Sequence, residues 1–429
     1  METSFIPPEE RPWKRDFFTI WGGQTFSILG SQLVQFALVW YLTRTTQSAT
    51  VLATASLIAL LPQVFLGPFA GAIVDRGSRR KIMIAADASI AAATLALAGL
   101  FAAGLIQPWH IFTVLFIRSL GGSFHYPAMA ASTSLMIPKE HLTRIQGVNQ
   151  MLAGGINIIA APLGALLLEA LQVQGVLFID VGTALIAIVP LLFITIPQPP
   201  QTNSAGKRGI KGVWNDMMDS FRYVRSWKGL MVLFLVATGI NFVLSPAFTL
   251  LPLLVNKHFG LGALQLGWIE AAFGIGVVVG GLILGVWGGF KRKIITSLSG
   301  ILLIGATMAC IGLIPPTMFG LAIGVYAITG FALPITNGPI FAVIQGTVSP
   351  EMQGRVVTLI GSAATAMMPV SLMIAGPVAD RFGLQTWYII GGAACFLIAL
   401  FSLSSRALIN IEAGPPGKLA PRLESRIAD

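Results

Sequence analysis

Six ionisable side chains lie within long apolar stretches of this sequence, where charge is energetically costly. They are Asp87, Arg118, His125, Glu169, Asp180 and Glu270. A charge at the centre of a bilayer costs at least about 2.5–3.5 kcal/mol, so each such residue needs a partner or a task. Carboxyl and imidazole groups in a partly dry cavity can exchange protons near neutral pH. The set therefore indicates proton transfer or ion pairing inside a membrane.

Arg118 and His125 lie seven residues apart in the fourth apolar stretch. Seven residues are two helical turns, so both side chains point the same way. Arg118 lies roughly 13 Å along a helix that starts near Trp109, which is deep within the membrane. We expect it to have a carboxylate partner or to face a water-filled cavity, and the sequence leaves open whether that partner is Asp180, Glu270 or neither. The alternative to a transport role is a structural ion pair for Arg118 and a packing role for His125.

The first apolar stretch carries a polar stripe. Its members are Gln24, Ser27, Ser31 and Gln35, at steps of three, four and four residues. Such spacing places them on one face of a helix, and amides facing lipid would lack partners. We expect the stripe to line a cargo cavity, with Asn241 and Asn337 as counterparts in the seventh and tenth stretches. Ordinary helix packing is the alternative.

The elements that hold these residues are membrane-spanning helices. The 429 residues are 55% hydrophobic and 10% charged, with a mean hydropathy of +0.80, whereas soluble domains are roughly 25% charged. Twelve apolar stretches are long enough to span a bilayer. We predict an all-α membrane protein with twelve transmembrane helices in two six-helix halves, residues 1–196 and 229–404. A linker, residues 197–228, and a tail, residues 405–429, complete the chain.

The linker contains a short amphipathic segment from Trp214 to Trp227, with apolar residues at helical spacing and basic residues among them. We expect a helix lying on the inner leaflet, with a solvated linker as the alternative.

The net charge of +10 is explained by membrane topology and does not require nucleic acid. All Lys and Arg residues except Arg44, Arg118, Lys257 and Arg381 fall on one side if both termini lie inside the cell. Basic residues collect on the cytoplasmic side of membrane proteins, so we expect both termini to be cytoplasmic.

A charged turn joins the second and third stretches. Residues 71–81 hold one acid, four bases and two glycines in the order Gly71-x-x-x-Asp75-Arg76-x-x-Arg79-Arg80-Lys81. This pattern resembles the signature loop of the major facilitator superfamily. Further segments resemble its branch of macrolide-efflux proteins and the enterobactin exporter, which are drug:proton antiporters. They are Arg118-Ser119-Leu120-Gly121-Gly122, Tyr126-Pro127-Ala128, Phe178-Ile179-Asp180 and Pro350-Glu351 with Gly354-Arg355-Val356.

The resemblance implies alternating access between two halves, and coupling through an arginine at the place of Arg118. In that fold the eighth helix flanks the cavity, so we expect Glu270 to be the proton carrier, with Asp180 second and His125 as a further candidate. It also implies a cytoplasmic gate built from the charged turn. The gate candidates are Gly71, Asp75, Arg76, Arg79, Arg80 and Asp87, with Asp87 as partner of Arg79 or Arg80. A loop that merely sets topology is the alternative.

We therefore expect a secondary active exporter that moves an amphipathic, drug-like or siderophore-like molecule outward in exchange for protons. A lipid or lysolipid flippase on the same fold is the main alternative, and a non-transporting membrane sensor is another. No nucleotide-binding loop or nucleophile motif is present in the sequence, so we expect neither direct ATP use nor an enzyme. We also expect no cofactor and no metal site. The expected partners are the cargo, protons and membrane lipids, with a monomer in a bacterial plasma membrane.

Overall fold

The computed structural model describes residues 13–197 and 210–414, which are nearly all helical. Ten of the described helices are long and apolar enough to cross a membrane. The helical membrane protein expected from composition is confirmed at this level. The chain divides into two compact units. The first contains the described residues up to 197 with Val255–Lys257 and Leu261–Ala271, and the second contains the remaining described residues.

The first unit is built mainly from five helices. They are α1 (Trp13–Thr46), α2 (Ala49–Arg76), α3 (Arg79–Ala102), α4 (Pro108–Met136) and α5 (Lys139–Phe193). α5 consists of two helices that meet at Gln172, whose backbone (φ 58°, ψ −178°) is not helical. Ser48 and Ser78 start α2 and α3 as N-caps, each accepting a hydrogen bond from a backbone N–H three residues later. Ser78 thus fixes the residue at which α3 begins within the charged turn.

Small residues let the helices of the first unit approach closely. A side chain at Gly30 on α1 would meet Thr183 Oγ1 at 2.3 Å and the Cα of Asp180 at 3.3 Å. A side chain at Gly121 on α4 would meet Ile90 of α3 at 2.9 Å. Glycine at such positions allows backbones to pack tightly in lipid. These contacts bring the polar faces of α1, α3, α4 and the second part of α5 together.

The second unit is assembled from further helices that follow the linker. They are α6 (Ile210–Ser226), α7 (Lys228–Thr249), α8 (Leu251–Leu253), a π-turn (Leu254–His258), α9 (Ala263–Trp287), α10 (Lys293–Leu313), α11 (Phe319–Thr347), α12 (Pro350–Phe382), α13 (Leu384–Ser404), α14 (Arg406–Ile409) and a 3-10 turn (Ile411–Ala413). α9 is shared, because its residues up to Ala271 belong to the first unit. In the second unit, α9 and α11 approach closely at Gly276 and Gly330.

α6 is the helix expected in the linker. The buried face of α6 contains Ser220, Tyr223 and Val224, and the buried Trp227 follows directly after the last residue of the helix. The helix packs against α7 and α12. Arg222, by contrast, is exposed. The buried face of this amphipathic helix therefore packs against other helices of the second unit. The beginning of the linker (residues 198–209) and the end of the tail (residues 415–429) lie outside the described residues.

Candidate functional site

Four side chains of the first unit form a closed polar cluster, which we call the arginine layer: Ser31, Thr94, Arg118 and Asp180. The Arg118 guanidinium lies 2.6 Å from Asp180 Oδ2 and donates to Thr94 Oγ1 at 2.8 Å. The hydroxyl of Thr94 donates to Asp180 Oδ2 at 3.2 Å, and that of Ser31 donates to Oδ1 at 3.4 Å. Asp180 thus accepts from groups on three other helices. The carboxylate partner expected for Arg118 is Asp180.

The arginine layer is almost dry. The side chains of Arg118 and Asp180 expose only 9% and 2% of their surface. Arg118 also donates to the backbone carbonyl of Ser31 at 3.3 Å. Because a buried charge is tolerated only with a well-placed partner, this geometry supports a permanent ion pair.

Three further side chains form a second cluster, which we call the histidine layer: Gln24, Asp87 and His125. His125 Nε2 lies 2.8 Å from Gln24 Oε1 and 3.3 Å from Asp87 Oδ1. Gln24 Nε2 donates to Asp87 Oδ2 at 3.2 Å. The Gln24 amide therefore bridges an acid and a base that belong to two other helices.

The two layers share one register. On each of three helices, the residue in one layer lies seven positions from the residue in the other. These pairs are Gln24 and Ser31 on α1, Asp87 and Thr94 on α3, and Arg118 and His125 on α4. Seven residues return a side chain to nearly the same helix face, about 10.5 Å further along the axis. The two clusters are thus consecutive levels of a single polar interface among α1, α3 and α4. α5 completes the arginine layer.

Two sequence-based expectations need correction here. Asp87 was expected to pair with Arg79 or Arg80, but its polar partners are Gln24 and His125. Asp87 lies seven residues after Arg80, about 10.5 Å further along the axis of α3, so it is level with Gln24 and His125 and not with the charged turn. Gln24 was expected to line a cargo cavity, but it is fully buried and its amide is used by Asp87 and His125.

The remaining candidates do not join either layer. Ser27 is buried, and Gln35 is half-buried. In the second unit, the Asn241 amide donates to the carbonyl of Ala237 on its own helix, whereas Asn337 is exposed. Glu270 is half-buried and has no hydrogen-bond or ion-pair partner among the described residues. Their proposed roles in cargo binding and proton transfer stay predictions.

The charged turn is only partly visible. Gly71, Asp75 and Arg76 belong to α2, but the side chains of Asp75 and Arg76 lie outside the described part of the chain. Arg79 is buried. Arg80 donates to the backbone carbonyls of Leu191 and Leu192 at the end of α5. Free carbonyls at a helix C-terminus attract cations, so Arg80 ties the charged turn to α5.

Sequence reasoning missed Thr94 and the pairing of Asp87 with His125. A signal for both was present. Asp87 and Thr94 repeat the seven-residue spacing of Gln24 with Ser31 and of Arg118 with His125. Equal spacing on three helices predicts two shared levels, although it does not by itself say which helices are neighbours.

A cavity of about 680 Å³ also lies in the first unit. It is lined by Trp40, Tyr41, Arg44, Phe101, Leu168, Glu169, Gln172, Val173, Gln174, Asn256, Gly262, Ala263, Leu264 and Gln265. The rings of Tyr41 and Phe101 meet edge to face with centroids 4.8 Å apart. The walls thus combine aromatic surface with one carboxylate, one guanidinium and several amides. Among the described residues, no group of three or more His, Cys, Asp and Glu side chains could hold a metal ion.

Comparison with known proteins gives consistent results at the level of sequence and fold. The family model described as Major Facilitator Superfamily matches residues 20–371. Macrolide efflux protein A of Streptococcus pyogenes is 35% identical over 389 residues, which cover 90% of this chain and 95% of that protein. Multidrug efflux pump Tap of Mycolicibacterium fortuitum is 25% identical, over 84% of this chain and 88% of that protein. A bacterial homolog of the human lysosomal transporter Spinster, solved inward-facing and unoccupied, shares the fold with a TM-score of 0.69 at 13% identity, over 94% of this chain and 98% of that chain.

Proposed function

This chain belongs to the Major Facilitator Superfamily, and from that premise we propose that it exports an amphipathic, drug-like molecule by alternating access, in exchange for protons. The cargo class that we favour is the macrolides. The observation that carries the proposal is the 35% identity to Macrolide efflux protein A, which extends over 90% of this chain and 95% of that protein. The similarity to a multidrug efflux pump supports export as the direction of transport.

The proposed topology has twelve transmembrane helices and two cytoplasmic termini in a bacterial plasma membrane. Two observations support the count. α5 contains two helices that meet at Gln172, and α4, with 29 residues, has the length of a span although it is not among the ten helices counted above. The concentration of Lys and Arg on one side supports the orientation. The bacterial origin of the relatives supports the assignment to a bacterial plasma membrane.

Two features of the first unit suit this activity. The cavity offers aromatic rings and the Glu169 carboxylate, which together favour an amphipathic molecule that carries an amine. The ionisable groups Arg118, Asp180, His125 and Glu270 within the membrane helices are the candidates for proton coupling, because ionisable residues held inside a membrane protein mark ion pathways. We propose that the charged turn at residues 71–81 forms the cytoplasmic gate, and that the protein works as a monomer.

The test is transport by purified protein in liposomes that contain a pH-sensitive dye. A pH gradient is imposed, and erythromycin, a catecholate siderophore or a lysolipid is added to separate samples. The proposal predicts proton flux triggered by erythromycin and absent from protein-free liposomes. Cargo flux that is insensitive to the gradient would exclude proton antiport. Movement of the lysolipid between leaflets without proton flux would favour a flippase instead.

A further inference from the structure

His125 keeps one ring nitrogen open inside the histidine layer. Its Nε2 faces two oxygen atoms, Gln24 Oε1 at 2.8 Å and Asp87 Oδ1 at 3.3 Å. The Gln24 oxygen faces the ring because the Gln24 amide nitrogen donates to the other carboxylate oxygen of Asp87. Since both neighbours accept, Nε2 carries a hydrogen. Nδ1 makes no hydrogen bond with any described residue and is therefore the atom at which the layer can gain a proton.

The charges around the histidine layer do not cancel unless such a proton is bound. With a neutral imidazole, the layer holds the Asp87 carboxylate and no positive charge. α1 adds only the uncharged Gln24. The next charges along α4 and α5, Arg118 and Asp180, neutralise each other. A buried charge without a counter-charge is strongly disfavoured, and one proton on the pair removes it.

The other ionisable groups of the neighbouring elements lie toward helix ends. Those with described side chains are Lys14, Arg15, Asp16 and Arg44 on α1, Arg79, Arg80 and Lys81 on α3, His110 on α4, and Glu140, His141, Arg144 and Glu169 on α5. Lys139 is the first residue of α5, and its side chain lies outside the described part. On α2, the ionisable residues Asp75 and Arg76 are at its end, with side chains outside the described part. Among the side chains that the structure describes, the histidine layer therefore depends on its own proton for neutrality.

Exposure distinguishes the two members of the pair. The His125 side chain exposes 12% of its surface and that of Asp87 exposes 5%. Asp87 Oδ2 already accepts a hydrogen bond from Gln24, and Asp87 Oδ1 faces the imidazole at 3.3 Å. The imidazole is thus the part of the pair that water reaches, and its open nitrogen is the unoccupied position.

We infer that the histidine layer is the binding site of the exchanged proton. His125 Nδ1 takes the proton, the Asp87 carboxylate at 3.3 Å from Nε2 stabilises the charge of the resulting imidazolium, and Gln24 orients both. This inference rests on the proposed proton-coupled export and gives that coupling a site. The arginine layer is then the fixed, permanently charged level, and Asp87 belongs to the proton site instead of the cytoplasmic gate.

The test compares full-length wild type with His125→Gln and Asp87→Asn. Two signals are recorded with erythromycin as probe: proton release from detergent-solubilised protein when the probe binds, and exchange of labelled for unlabelled probe across liposomes without a pH gradient. We expect both variants to lose proton release and gradient-driven accumulation while retaining exchange. The matched control is His110→Gln, a histidine of the same helix whose Nδ1 accepts from the Gln107 backbone. It should retain every signal.

The outcomes separate the inference from the proposed function. Proton release of wild-type size in His125→Gln would overturn the inference and leave proton-coupled export intact. A wild type that exchanges erythromycin without releasing protons would overturn proton coupling itself. The double variant Asp87→Asn/His125→Gln carries no ionisable group in the layer, so it leaves no unpaired buried charge to disrupt folding. If it binds the probe and still releases protons, the inference is wrong.

Discussion

Arg118 and His125 lie two turns apart on α4, and each faces a buried aspartate from another helix, Asp180 of α5 and Asp87 of α3 respectively. The first pair is enclosed by hydroxyl donors from two further helices, α1 and α3, whereas the second keeps one imidazole nitrogen open. A single face of α4 thus carries a fixed ion pair at one level and a pair able to gain a proton at the next. Each has consequences that mutation can separate.

Removing the carboxylate of the arginine layer should destabilise the protein. Asp180→Asn leaves the Arg118 guanidinium buried without a counter-charge, and breaking a buried pair in this way costs about 3–5 kcal/mol. We expect a clear drop in the thermal unfolding midpoint in detergent. Glu169→Gln, which changes an exposed carboxylate of α5 just before the junction at Gln172, is the control and should change little. If Asp180→Asn unfolds at the wild-type temperature, Arg118 is not held by Asp180 in the way described.

Replacing both Arg118 and Asp180 by apolar residues tests whether the unpaired charge causes the loss of stability. Arg118→Met with Asp180→Leu removes both charges, and such replacements are often neutral or stabilising. We expect the double variant to unfold at a higher temperature than Asp180→Asn alone. Equal or lower stability would show that the hydrogen bonds of Ser31 and Thr94 matter more than the charge.

The bridging amide of Gln24 should stabilise the folded protein through its hydrogen bonds, beyond the packing of its side chain. Gln24→Met keeps the length of the side chain but removes one donor to Asp87 and one acceptor from His125. Leaving buried polar groups without partners costs about 1–3 kcal/mol. The measurement is chemical unfolding in detergent, with Gln32→Met on an exposed position of α1 as control. Equal unfolding of the two variants would contradict a bridging role.

Close contact between α9 and α11 in the second unit should make Gly330 intolerant of even one methyl group. A Cβ there would lie 2.1 Å from the carbonyl oxygen of Phe273, so the helices must separate. We expect Gly330→Ala to destabilise by about 1–3 kcal/mol. Gly324 of the same helix has no atom within 4 Å of the corresponding position. Gly324→Ala is therefore the control and should be neutral or slightly stabilising, because alanine favours a helix.

The attachment of α6 should weaken in alkali. Burial raises the pKa of Tyr223 above its ordinary value, and hydrogen bonds with the backbone and side chain of Ser349 offset this only in part. A group whose pKa is higher in the folded state contributes stability below its unfolded pKa of about 10, and that stability is lost as the pH rises through the folded value. We therefore expect the free energy of unfolding to decrease above about pH 10.

The matched variant for this pH effect is Tyr223→Phe, which removes the ionisable phenol. Its stability should fall less steeply with pH over the alkaline range than that of the wild type. Tyr126→Phe, at an exposed position, should keep the wild-type slope. Parallel curves for wild type and Tyr223→Phe would rule out Tyr223 as the source of the alkaline loss.

Several features of this protein were readable from local sequence. Apolar length and low charge predicted membrane helices, and the charged turn at residues 71–81 indicated the superfamily. The seven-residue spacing of Arg118 and His125 predicted a shared face, because helical period depends only on position along one segment. The amphipathic pattern of Trp214–Trp227 likewise predicted a helix, which the structure contains as α6.

Only the tertiary structure decided which buried polar side chains pair with each other. Arg118 and Asp180 are 62 residues apart, and Gln24 and Asp87 are 63 apart. Nothing in the spacing along one helix determines which face of another helix lies opposite. That depends on close packing at positions such as Gly30 and Gly121, where the absence of a side chain lets two backbones meet. The sequence thus determined which residues had to be buried with a partner, and the packing of α1, α3, α4 and α5 decided which partner each received.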